Sequence, residues 1–167
     1  MIEHPLKSFE IMKRLFLFLS IISVLLASCD KTPANGDLDG KWLLKQRFVK
    51  ETATDGAYSR LAEGPADTKI YWSFQLQLLS ITSGSLAHNG QTGETVARFV
   101  RDGDRLSVTQ TYVHFRDRDE LISDPSTTLL EVVGIRGNAS DFRIALLNSS
   151  RLTLCSQLDS LVFVKLH

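Results

Sequence analysis

The chain has 167 residues, and its 19 basic and 19 acidic side chains cancel to a formal charge of zero. That balance excludes a bulk electrostatic attraction to nucleic acid or to an anionic membrane surface. A hydrophobic content of 43% supports one globular core and excludes wholesale disorder.

The first element in the chain is a targeting segment. Lys13 and Arg14 form a basic start, and Leu15 to Leu26 is an almost uninterrupted apolar run. Such a run is shorter than the ~20 residues a membrane-spanning helix needs, and it suits the central region of a signal peptide. Leu26-Ala27-Ser28-Cys29 follows directly and resembles the lipobox of bacterial lipoproteins. The resemblance implies that residues 1–28 are removed, that the Cys29 thiol carries diacylglycerol, and that the new amino group takes a further acyl chain such as palmitate. Each buried CH₂ contributes about 0.8 kcal/mol, so several chains hold firmly. The expected location is the cell envelope, lipid-anchored on the periplasmic or cell-surface side of a bacterial membrane. Met12 already begins a signal peptide of normal shape, which makes residues 1–11 read as a misassigned start.

Residues 29–37 read as a flexible tether, because "DKTPANGD" is polar and carries Pro33 and Gly36. Residues 38–167 form the domain. Loss of Lys7, Lys13, Arg14, Glu3 and Glu10 with the signal segment leaves a formal charge of about −1. With Cys29 lipidated, Cys155 is the remaining thiol and no intramolecular disulfide forms. The core has to supply the stability.

From Gly40 onward the alternation has a period of two, the signature of strands with one wet face. "KWLLKQRFV" sets Trp42, Leu44 and Phe48 against Lys45 and Arg47. "KIYWSFQLQLL" reads as one strand, with Ile70, Trp72, Phe74, Leu76 and Leu78 on one face. His88-Asn89-Gly90 marks a tight turn. "TVARFVRDGDRLSVTQTYVHF" reads as a hairpin turning at Asp102-Gly103-Asp104. The charged stretch "RDRDEL" reads as a solvated loop. In "DPSTTLLEVVG", Asp124 suits an N-cap, Pro125 a first helical position and Gly134 a stop, so a short helix is predicted there. "DFRIALL", "RLTLCS" and "SLVFVKL" are three closing strands. Seven or eight short strands with regular turns predict an all-β antiparallel sandwich or closed barrel. Closing the sheet removes exposed edges, and about eight strands leave an interior filled by side chains or by one small ligand.

Gly40-Lys41-Trp42 at the start of the first strand resembles the G-x-W signature of lipocalins. The ending, Phe142-x-Ile144, Leu152-x-Leu154 and Leu161-x-Phe163-x-Lys165, is similar to that of lipocalin-like lipoproteins common in Bacteroidetes. The resemblance spans Leu38 to Leu166 and implies a small up-and-down lipocalin-like β-barrel of about eight strands. It gives Gly40 and Trp42 a structural role in closing one end, with a cation from Lys165 or Arg143 over the indole. The mature chain is short for a lipocalin, lacks the usual disulfide and has no room for a C-terminal helix, so a shallower, half-open barrel also fits.

Trp72, Phe74, Phe99, Tyr112 and Phe142 are the aromatic residues expected to face inward, as core or as the lining for a small apolar ligand. The alternative is an accessory or scaffold lipoprotein that meets another envelope protein or a glycan with outward residues such as Tyr71, Gln75 and Gln77. No G-x-S-x-G, Gly-rich phosphate loop or Cys-x-x-Cys occurs, so neither catalysis nor a cofactor is expected. His114, Asp117, Asp119 and Glu120 are interleaved with Arg116 and Arg118, which oppose a metal ion, and read as solvated surface. Cys155 is expected to be a buried, inert thiol. Asp159-Ser160-Leu161 resembles the O-glycosylation motif of Bacteroidetes secreted proteins and is expected at an accessible turn.

Overall fold

The alternating segments form ten antiparallel strands in the computed structural model, which describes residues 33–52, 58–63, 69–86 and 91–167. They are β1 (Gly40–Thr52), β2 (Tyr58–Glu63), β3 (Tyr71–Gln75), β4 (Leu78–Thr82), β5 (Gln91–Asp102), β6 (Arg105–Phe115), β7 (Asp119–Leu121), β8 (Ser140–Leu147), β9 (Arg151–Cys155) and β10 (Asp159–Leu166). Hydrogen bonds run in the order β10-β9-β8-β6-β5-β4-β3-β1, and β1 also pairs with β10, from Lys41 opposite Leu166 to Val49 opposite Asp159. Eight strands therefore form a closed barrel rather than a half-open one. β2 and β7 are additional partners on the far stretches of β1 and β6. The segment read as a signal peptide, Cys29 and the turn expected at His88-Asn89-Gly90 lie outside the described residues.

The barrel has two distinct ends. At the N-terminal rim, the entering segment Pro33–Asp39 meets the β3–β4 turn at Leu76, the end of β5 at Arg101 and the end of β10 at Lys165. At the opposite mouth, the long β6–β8 connection folds inward, burying Leu130, Val133 and Ile135 completely. The helix expected over Asp124–Gly134 is reduced to a single 3-10 turn at Glu131–Val133. Asp124 caps no helix; its carboxylate accepts from the Ser126 backbone N–H at 2.8 Å and from the Ser126 hydroxyl at 2.7 Å, a local turn that competes with helix. Gly134 does stop the turn, in the left-handed region at φ 94°. A Cβ there would lie 2.7 Å from Leu161 Cδ1, so the position needs glycine for space as well as for φ.

β-bulges decide which face each side chain takes. Between Leu44 and Gln46 the β1–β10 register slips by one residue at Lys45. Beyond it the parity reverses. Trp42 and Leu44 are buried inside, but Arg47 takes the inward position that alternation assigned to Phe48, and Phe48 lines an outer cleft. A second slip, at Thr109 between β5 and β6, puts Thr111 and Val113 inside. Tyr112, expected to face inward, is half-buried on the outer face between them.

The strand expected over residues 70–78 ends at Gln75, and Leu76-Gln77 turns the chain into β4. Ile70, Trp72 and Phe74 are buried as the alternation predicts, but Leu76 and Leu78 are 65% and 44% exposed, and the inward positions pass to Leu79 and Ile81. Leu76 holds φ 55°, a conformation that costs a non-glycine residue roughly 1–2 kcal/mol. No Gly, Asn or Asp marks this turn, which is why alternation alone runs through it. Leu76→Gly is expected to raise stability by about 0.5–1 kcal/mol, seen as a higher urea midpoint with unchanged slope, since the exposed side chain contributes little packing. "RDRDEL" is likewise not all loop, because Asp119–Leu121 pairs with β6 from His114 to Tyr112.

Candidate functional site

The N-terminal rim is closed by a small cluster around Trp42. Gly36–Leu38 makes one 3-10 turn that drives Leu38 into the barrel bottom. The Trp42 indole N–H donates to the Leu38 carbonyl at 2.8 Å. The Lys165 ammonium sits 5.0 Å from the centre of the Trp42 ring and donates to the Asp37 carbonyl at 2.8 Å. Of the two cations considered from sequence, Lys165 is therefore the one over the indole, while Arg143 lies on the outer face of β8. Gly40 lets this happen: its φ is +119°, and a Cβ would come within 2.9 Å of Lys165 Cε. The cluster ties the first and last strands together and leaves no polar group of the indole unpaired.

Above it, four of the five aromatics singled out from sequence occupy the barrel axis. Trp72, Phe74, Phe99 and Phe142 are each at most 2% exposed. Their rings touch in series: Phe99 meets Phe74 edge-on at 5.2 Å, Phe74 meets Trp72 at 6.1 Å, and Trp72 meets Phe142 at 5.9 Å and Phe163 at 5.2 Å. The Trp72 indole donates to the carbonyl of Val133 in the folded-in mouth segment at 3.1 Å. The rings spend their faces and edges on one another. An apolar ligand in the barrel would have to part this stack.

Near the mouth a charged group is built into the wall. Asp159 has a side chain 1% exposed, clamped between two guanidiniums. Arg47 Nε donates to its Oδ1 at 3.0 Å, and Arg136 donates to Oδ2 from Nε and to Oδ1 from Nη2. Arg136 also reaches Glu131 at 3.3 Å. The Asp159 backbone N–H donates to the Ser156 hydroxyl, fixing the β9–β10 turn. Sequence reasoning missed this clamp because it took Arg47 as outward and Asp159 as a turn residue. The motif Asp159-Ser160-Leu161 is accordingly not accessible: the three residues are 3%, 6% and 0% exposed.

Two clefts adjoin the outward residues Arg143 of β8 and Cys155 of β9. A cleft of about 320 Å³ is lined by Asp104, Arg105, Asp141, Arg143, Cys155 and Gln157 among others. A second of about 410 Å³ continues past Arg143 and Cys155 to Phe48 and Lys50. Of the four axis aromatics, Phe142 borders the first cleft, and Trp72, Phe74 and Phe99 line neither. Arg105 and Arg143 stand directly opposite across β6 and β8, a like-charge pair that costs stability. Asp141 lies 3.7 Å from Arg105, and the Arg143 guanidinium has no ion-pair partner among the described residues. Cys155, expected to be buried, is half-exposed at the cleft wall, with its sulfur 3.5 Å from the Ser160 hydroxyl.

A family model described as a lipocalin-like domain matches residues 24–166. The chain belongs to the lipocalin-like family. No curated protein matches it. Among solved structures, it is similar to a lipocalin-like protein from Bacteroides uniformis, at 20% identity and TM-score 0.48 over 78% of this chain and 100% of that one. It is also similar to an uncharacterized protein from Bacteroides eggerthii, at 16% identity and TM-score 0.45 over 77% of this chain and 99% of that one.

The remaining polar cluster of this lipocalin-like barrel lies on the β6–β7 hairpin. His114 Nδ1 is 2.7 Å from Asp119 Oδ1, whereas Asp117 and Glu120 turn to Arg118. Among the described residues no three His, Cys, Asp or Glu side chains gather closely enough to share a metal. The hydrogen bond and charge of Asp119 raise the His114 pKa above its ordinary value. A raised folded value means that the pair's stabilising contribution is complete below the unfolded pKa of about 6.5 and is lost as pH rises through the folded one. Amide exchange in β7 is therefore expected to accelerate on going from pH 6 to pH 8 beyond the intrinsic base-catalysed increase. Asp119→Asn should abolish that excess.

Proposed function

We propose that this is a lipid-anchored lipoprotein of the bacterial cell envelope whose lipocalin-like barrel is a non-catalytic binding module acting through its outer face. The partner is an envelope protein or a glycan. The anchor is supported by the order of basic start, apolar run and Leu26-Ala27-Ser28-Cys29. The outward mode of action rests on one observation: the barrel axis is filled by mutually packed aromatics, whereas the clefts around Arg143 open on the surface. An interior apolar ligand, the other function considered from sequence, would need space that Trp72, Phe74, Phe99 and Phe142 occupy.

Two measurements test this. Cys29→Ser is expected to move the protein from the detergent-extracted membrane fraction to the soluble envelope fraction, and full membrane retention would remove the anchor from the account. A photo-crosslinker at Gln157, on the cleft wall, should capture a discrete envelope component that Arg143→Glu no longer captures. Native mass spectrometry that found a stoichiometric apolar small molecule on the mature protein, with no crosslinked species, would overturn the outward mode of action.

A further inference from the structure

Among the described residues, Leu76, Leu78, Val100, Leu146 and Leu166 are exposed large apolar side chains toward the N-terminal rim, and Leu121, Val132 and Leu158 lie toward the mouth. Leu76, Leu78 and Val100, exposed by 65%, 44% and 59%, are neighbours. Leu78 pairs with Arg98 across β4 and β5, and the Phe99 N–H donates to the Gln77 carbonyl at 3.1 Å, so the same register brings Leu76 opposite Val100. All three face away from the core, whose positions on these strands are Leu79, Ile81, Ala97 and Phe99. Leu76 is displayed at the tip in a left-handed conformation that glycine would adopt without strain.

The patch adjoins the place where the tether enters. The Asn35 side chain donates to the Leu76 carbonyl at 2.8 Å, and the Arg101 guanidinium donates to the Asn35 carbonyl at 2.9 Å. Cys29 precedes Asn35 by six residues, which span at most about 21 Å when fully extended. A lipidated Cys29 would thus hold Leu76, Leu78 and Val100 within one short leash of the bilayer surface. Arg98 and Arg101 flank the apolar triad, where phosphate groups of lipid headgroups would meet them, although Asp102 and Asp104 beside the next turn keep the rim from being strongly cationic.

We propose that the N-terminal rim is a membrane-contacting surface: Leu76, Leu78 and Val100 rest in the headgroup–acyl boundary of the bilayer that holds the Cys29 lipid. The proposal deepens the lipoprotein function above and rests on it. The contact is too small to bind a membrane by itself, and the anchor supplies the local concentration that makes it favourable. Its consequence is orientation. The barrel stands on this rim, and the opposite mouth faces away from the lipid.

The test uses the mature, lipidated full-length protein in vesicles of phosphatidylethanolamine and phosphatidylglycerol. In a Cys155→Ser background, an environment-sensitive fluorophore is placed at Gln77→Cys in the rim turn or at Val132→Cys in the mouth. The rim label is expected to brighten by roughly threefold or more on reconstitution and to be quenched by brominated lipid, while the mouth label behaves as in water. Replacing Leu76, Leu78 and Val100 together with serine should abolish the rim response while flotation with vesicles and the urea midpoint persist. Equal responses at the two labels, in protein that floats and carries lipid on Cys29 by mass analysis, would overturn the proposal. A bare Cys29 thiol would instead sink the anchor, and the rim contact with it.

Discussion

Replacing Asp159 with alanine is expected to cost the folded barrel about 3–5 kcal/mol, read from the shift in its urea unfolding midpoint. The carboxylate is 1% exposed and is the shared acceptor for Arg47, itself only 12% exposed, and for Arg136 at 30%. Its loss strands a guanidinium in a poorly hydrated wall, and the desolvation that the carboxylate had offset then counts in full. Asp159→Asn should be nearly as damaging, because an amide keeps the shape but not the charge and presents one acceptor oxygen where two were used. Glu131→Gln is the contrasting case. Glu131 is 37% exposed and meets Arg136 from the solvent side, so its loss should fall within about 1 kcal/mol. If Asp159→Ala and Glu131→Gln proved equally mild, the clamp would be a surface ion pair in its energetics and the buried-charge account would fail.

Trp72→Ala is expected to be similarly severe, at about 3–5 kcal/mol, for a different reason. The indole touches Phe74, Phe142 and Phe163, which come from three different strands, and its N–H satisfies the Val133 carbonyl. Alanine leaves a cavity that a closed barrel cannot easily collapse, since each wall strand is hydrogen-bonded on both sides. Trp72→Phe separates the two contributions. Most ring packing survives, but the buried carbonyl loses its donor, and a cost of roughly 1–3 kcal/mol follows. The phenylalanine variant should also show faster amide exchange at Val133, Gly134 and Ile135, whose N–H groups close the mouth turn on Leu130 and Glu131. Uniform acceleration across all strands, with none at the mouth in particular, would show that the indole N–H does not hold the mouth segment.

Much of the architecture was legible in the residues. The period of two from Gly40 onward, the Asp-Gly-Asp turn and the three closing strands together demanded an antiparallel all-β domain. The resemblance of Gly40-Lys41-Trp42 to the lipocalin start, and not the alternation, implied how that domain closes, with Lys165 or Arg143 as the cation. Local chemistry suffices for the strands and the turn, because a strand with one apolar face and a glycine turn declare themselves within a dozen residues. Tyr112 was assigned to the wrong face because the extra residue at Thr109 reverses the parity of β6 beyond it, whereas no irregularity precedes Phe142 in β8.

The sequence by itself thus determined the class of fold, the positions of most strands and the greater part of the apolar core. The tertiary structure alone decided the faces beyond Lys45 and Thr109, the turn at Leu76-Gln77, the inward folding of the mouth segment and the clamp on Asp159. The physical reason is common to all four. One extra residue in a strand reverses every side chain beyond it yet carries no residue-type marker here, and Arg47 and Asp159 stand 112 positions apart. Only closure of β1 against β10 brings those two side chains together, and only then is the buried carboxylate held by the cations beside it.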